Sequence, residues 1–129
     1  MLNFEQPHLR TNILTGEQIL VSPHRSKRPW QGQVEDTQEE QRVKHDETCY
    51  LCPGNKRAEG QINPNYSDSF VFINDFSALL NTTEEATYYE SDLLKAETEK
   101  GICKVIAFSP RHDLTLPELE VDEIKKVVD

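Results

Sequence analysis

The stretch "DETCYLCPGNKR", residues 46–57, places two cysteines three positions apart, with Pro53, Gly54 and Asn55 directly behind them. At that spacing a tight turn points two thiolates at one cation. Gly54 and Asn55 both tolerate the left-handed backbone such a turn needs. A thioredoxin-type redox pair needs a helix after its first cysteine; glycine and asparagine favour a metal knuckle instead. A tetrahedral zinc site takes two further ligands, and there is no second Cys-x-x-Cys. The remaining donors are Cys103, His8, His24, His45 and His112. His112, in "SPRHDLTLPE", falls in a turn between an expected strand and an expected helix. Its neighbour Asp113 is a candidate to orient the ring. Cys103 reads as a buried apolar residue and His45 as a solvated one.

The chain has 129 residues, which fits one domain better than two. Apolar residues make up 36% and mean hydropathy is −0.69, so the core is modest. A net charge of −9 argues against a nucleic-acid partner held by a basic surface. No apolar run approaches the ~20 residues of a membrane span, and no signal peptide is read at the start. The chain reads as cytoplasmic. Three cysteines do not make a disulfide scaffold.

Outward from the knuckle, "EQILVS" (17–22), "FVFIN" (70–74), "EATYYESDLL" (85–94) and "GICKVIAFS" (101–109) read as strands. Few polar residues interrupt the last, so both its faces are expected to be covered. The segment 34–48 is highly charged, lacks apolar periodicity and reads as an exposed or disordered loop; 62–69 is turn-rich. At the end, Pro117 and acidic residues precede Val121, Ile124, Val127 and Val128, which recur at helical spacing. That helix reads as cut at Asp129, so the chain is expected to be the N-terminal piece of a longer protein.

Two further stretches invite ligands. "SPHRSKRPW" (22–30) concentrates Arg25, Lys27 and Arg28 in an otherwise acidic chain. Arginine forks suit phosphate oxygens; the plain alternative is a solvated basic loop, stiffened by Pro29 and Trp30. Asn74 and Asp75 end an expected strand, where a carboxylate can accept both hydroxyls of a ribose; the plain alternative is a turn.

"ILVSPHRSKRPWQG", "CYLCPGN", "NPNY", "FVFINDFSAL" and "VIAFSPRHDLTLPEL" occur in the order and spacing of the galactose-1-phosphate uridylyltransferase family, which the chain resembles from about residue 7 to its end. The resemblance implies an α+β fold of the histidine-triad-like superfamily, an antiparallel sheet with few helices. Residues 1–129 would form its N-terminal part, cut before the catalytic His-Pro-His segment. It implies a uridylyltransferase acting on UDP-glucose and galactose 1-phosphate by a ping-pong route through a uridylyl-histidine. Residue by residue, Cys49, Cys52 and His112 match zinc ligands. Arg25 and Arg28 match arginines near the phosphates, and Asn74 and Asp75 match the ribose pair. Tyr50, Leu51, Ala58 and Phe72 match the uracil pocket, Tyr50 standing where another aromatic is common. A second metal, iron or zinc, and the nucleophile belong to segments not present, so no catalytic histidine is assigned and the chain alone is expected to be inactive. The family implies a homodimer. Competing readings are a sister nucleotidyltransferase with another nucleotide and a non-catalytic zinc-knuckle interaction module.

Overall fold

The computed structural model describes residues 1–29 and 42–129. Trp30 and most of the charged 34–48 segment lie outside the described residues. The chain divides into two compact units, each made of two stretches: Met1–Arg28 with Phe76–Lys104, and Pro29–Asp75 with Val105–Asp129.

The first unit is a four-stranded antiparallel sheet in the order β2-β1-β5-β4, with β1 His8–Thr11, β2 Gln18–Val21, β4 Thr87–Ser91 and β5 Leu94–Thr98. β1 and β2 form a hairpin, Leu9 opposite Leu20, whose turn is closed by Asn12 accepting from Gly16 N at 2.7 Å. The expected single strand over 85–94 is instead β4, a turn at Asp92–Leu93 and the start of β5. Tyr88 pairs with Ala96, and the register shifts between Tyr89 and Ser91. Strand β1 was not anticipated, because "HLRT" carries no alternation.

The core of this unit is small: Leu2, Pro7, His8 and Ala96. His8 is fully buried. Its Nδ1 lies 2.8 Å from Gln6 O, and its Nε2 accepts from Arg10 Nε at 3.1 Å. Those partners assign a neutral ring with the proton on Nδ1, which avoids burying a charge. Phe4 packs edge-on against His8 and Tyr88. The basic stretch is not a loop. Pro23–Lys27 forms a 3-10 turn, with Pro23 at its start.

In the second unit β3 (Phe70–Ile73) pairs with β6 (Lys104–Ala107) as a two-stranded sheet. Side chains alternate across a strand, and here Phe70 and Phe72 share the covered face of β3. Val71, Ile73 and, on β6, Ile106 are exposed among the described residues. β6 therefore does not have both faces covered, contrary to its sequence pattern. Helix α1 (Val121–Val128) starts where the spacing predicts. Glu123 reaches back to accept from Glu120 N at 2.9 Å, supplying a partner that the helix start would otherwise lack. Lys126 Nζ donates to Asp68 at 2.8 Å, tying α1 to the segment before β3. Among the described residues of this unit the buried apolar ones are Cys52, Ala107 and Leu119. Polar contacts must therefore specify much of its interior.

Candidate metal centre and the cleft at the end of β3

Cys49, Cys52 and His112 come together: one ligand atom from each lies within 4.8 Å of the others. Cys52 Sγ and His112 Nδ1 are 3.6 Å apart. Tetrahedral zinc with arms of about 2.3 Å to sulfur and about 2.0–2.1 Å to nitrogen needs an S–N separation of about 3.6 Å. The donor set and its spacing therefore fit such an ion, and three donors leave one position to another group. Cys103 and His45 are not in this group.

The knuckle is built by local hydrogen bonds. Asp46 Oδ1 accepts from Thr48 N and Thr48 Oγ1, both at 2.7 Å. Those bonds hold the Asp46 carboxyl below the usual carboxylate range. Leu51 N approaches Cys49 Sγ at 3.4 Å. Gly54 takes φ +75°, as the spacing predicts, and a Cβ there would meet Asn65 Oδ1 at 2.8 Å. Asn55 does not enter the left-handed region. It serves through its side chain, which donates to Asp46 O at 2.7 Å and Cys49 O at 2.8 Å. Burial pushes the Cys52 thiol up. Burial and the neighbouring thiols push the Tyr66 phenol up to about 12, so it remains a donor, here to Leu51 O.

The His112 turn is anchored by His112 N donating to Lys44 O at 2.9 Å. Asp113 does not orient the ring, because Arg111 engages its carboxylate and holds it. The carboxylate facing the ring is Asp46, with Oδ2 3.9 Å from His112 Nε2. At that distance Asp46 faces the ring without hydrogen-bonding to it.

Behind the knuckle lies a buried polar relay that the sequence did not reveal. Asn63, 2% exposed, donates to Tyr50 O at 2.8 Å and Cys52 O at 3.1 Å. Its Oδ1 accepts from Arg57 Nη1 at 3.0 Å. Arg57 Nη2 donates to Gln61, and Nε to both oxygens of Asp75. The guanidinium also lies 4.2 Å over the Phe72 ring, extending a stack of Tyr66, Phe70 and Phe72. A cleft of about 590 Å³ opens here, lined among others by Arg57, Gln61, Phe72, Asn74 and Asp75.

Of the other expected site residues, Tyr50, Leu51 and Ala58 are exposed around the knuckle and the 57–60 turn. Arg25 and Arg28 belong to the first unit. Arg25 Nε is buried without a hydrogen-bond partner among the described residues. His24 turns its Nε2 to Ser77 O at 2.6 Å. No helix among the described residues is long and apolar enough to cross a membrane.

Fold and site define a chain built mainly on antiparallel sheet, in which a thiol–imidazole cluster is wired by hydrogen bonds to an aromatic cleft. The chain belongs to the galactose-1-phosphate uridyl transferase family, matching the model of its N-terminal domain over residues 2–129. It is 50% identical over 124 residues to the galactose-1-phosphate uridylyltransferase of Haemophilus influenzae, covering 96% of this chain and 36% of that protein. The Rattus norvegicus protein of the same name is 45% identical over 125 residues, covering 97% and 33%. A solved structure described as "Structure of uridylyltransferase" superposes with a TM-score of 0.61 at 26% identity, covering 94% of this chain and 31% of that one. The chain thus spans about a third of the length of the relatives it matches.

Proposed function

We propose that this chain is the N-terminal portion of a nucleotidyltransferase that moves a uridylyl group from UDP-glucose to galactose 1-phosphate, releasing glucose 1-phosphate and UDP-galactose. The observation that carries the reading is the cleft at the end of β3, where Asn74 and Asp75 stand beside Phe72. A carboxylate at a strand end can take both ribose hydroxyls. In this reading Tyr50, Leu51, Ala58 and Phe72 contact uracil, and Arg25 and Arg28 contact phosphate oxygens.

Cys49, Cys52 and His112 hold zinc, with the Asp46 carboxylate on the far side of the His112 ring. When bound, the ion supplies a rigid cross-link between the knuckle and the His112 turn, a structural role. The fold reading is the histidine-triad-like superfamily, supported by the antiparallel four-stranded sheet and the uridylyltransferase neighbour. The nucleophile is a histidine of a His-Pro-His segment, attacking the α-phosphorus so that glucose 1-phosphate leaves. A galactose 1-phosphate oxygen then displaces the histidine. A second metal, iron or zinc, a homodimer and a cytoplasmic setting complete the reading.

The test is uridylyl transfer by the full-length natural protein, with UDP and ADP as competitors. Transfer to galactose 1-phosphate inhibited by UDP alone supports the reading. No transfer, or equal inhibition by ADP, refutes it in favour of a binding module or a sister enzyme.

A further inference from the structure

Arg57 is the residue on which the relay converges, and the reading above gives it no role. Its side chain is 7% exposed and that of Asp75 10%. All three guanidinium nitrogens are engaged: Nε by Asp75, Nη1 by Asn63 and Nη2 by Gln61. The plane is clamped against Phe72. A planar fork held at all three nitrogens has little freedom, and this one fixes the carboxylate it holds. Arg57 approaches the two Asp75 oxygens through a single nitrogen, at 3.0 and 3.3 Å. An ionised carboxylate has about four acceptor sites, so this single N–H leaves Asp75 acceptor capacity for a ligand in the cleft.

We propose that Arg57 is a positioning residue for the Asp75 carboxylate, setting the angle at which Asp75 meets a vicinal diol. The proposal rests on the reading of Asp75 as the ribose residue. With its nitrogens taken up by Asp75, Asn63 and Gln61, Arg57 acts on the sugar through Asp75. Asn63 extends the same constraint to the knuckle, since one side chain binds both the Cys52 carbonyl and the guanidinium.

The test compares UDP with 2′,3′-dideoxy-UDP by calorimetry on the full-length protein, as wild type, Asp75→Asn, Arg57→Gln and Arg57→Lys, with thermal melting to establish folding. Hydrogen bonds from a diol to a charged group predict that wild type prefers UDP by about tenfold or more. Asp75→Asn and Arg57→Gln are expected to lose that preference while binding dideoxy-UDP as wild type does. A defect confined to the hydroxyl-bearing ligand is not what general loosening of the cleft produces. Arg57→Lys keeps a cation but not the fork, and is expected to recover the preference in part. If Arg57→Gln does not fold, Arg57→Lys decides: an unchanged preference overturns the proposal. Loss in Asp75→Asn with full retention in the Arg57 variants overturns the positioning role and leaves the ribose reading standing. No preference in wild type, or retention in Asp75→Asn, overturns both.

Discussion

Arg57 Nε lies 3.0 Å from Asp75 Oδ2, and both side chains are about nine-tenths removed from solvent. Removing one partner of such a pair leaves the other as an uncompensated buried charge, which costs about 3–5 kcal/mol. Arg57→Ala is therefore expected to lose about that much in urea unfolding. The uncharged double variant Arg57→Gln/Asp75→Asn should be the more stable of the two. Equal losses would mean that stacking on Phe72, not charge pairing, dominates at this position.

The Asn63 side chain makes three hydrogen bonds in a residue only 2% exposed. Asn63→Ala strips partners from two backbone carbonyls and one guanidinium N–H. The Cys52 carbonyl keeps Asn55 N as a donor, so at about 1–3 kcal/mol for each of the two groups left unsatisfied a loss of about 2 kcal/mol or more is expected. The same variant should bind metal more weakly, because the Tyr50 and Cys52 carbonyls fix the turn bearing the thiols. Unchanged metal affinity would show that Asn55 alone suffices to hold the knuckle.

Two glycines separate backbone strain from close approach. Gly16 and Gly54 have φ of +72° and +75°, but a Cβ at Gly16 meets nothing within 4 Å whereas one at Gly54 meets Asn65 Oδ1 at 2.8 Å. Gly16→Ala should cost about 1–2 kcal/mol from the left-handed backbone alone. Gly54→Ala should cost more, by whatever Asn65 pays to move. Equal denaturation midpoints would show that Asn65 yields freely.

Metal binding should be proton-coupled. Burial holds the Cys52 thiol above its ordinary value, so near neutral pH it is protonated in the metal-free protein. Zinc needs the thiolate, and its binding displaces that proton. Below the thiol pKa, apparent zinc affinity should therefore rise about tenfold per pH unit for that one proton. Competition with a chromophoric chelator between pH 6 and 8 measures the slope. A flat profile would exclude Cys52 as a ligand. Cys52→Ser should weaken both zinc binding and thermal stability.

The knuckle was legible because metal chemistry demands particular residue types at short spacing, and β3 and β6 because their apolar content exceeds that of their surroundings. β1 and β5 were not. "HLRT" and "LKAET" owe their extended form to partners across the sheet, His8 opposite Thr98 and Arg10 opposite Ala96. Local sequence also misplaced the carboxylate that faces His112. Asp113 is adjacent in the chain, but Arg111 claims it, and Asp46 arrives from the knuckle. Arg57 and Asp75 stand 18 residues apart, a separation with no periodic signature. Only burial of both makes them a pair.

The second unit is discontinuous, and His112 follows Cys52 by 60 residues, the intervening chain including the 76–104 stretch of the other unit. On a ribosome adding about 5–20 residues per second, the two thiols emerge roughly 3–12 s before the imidazole does. Asn55, Asn63 and Arg57 are already made in that interval, so the turn bearing the thiols can take shape first. A metal ion arriving then meets two sulfurs and no histidine. Under the proposed metal reading, connectivity thus sets the order of events at birth: the cysteines would offer the first grip on an ion, and His112 would close on it only after 60 more residues have been made.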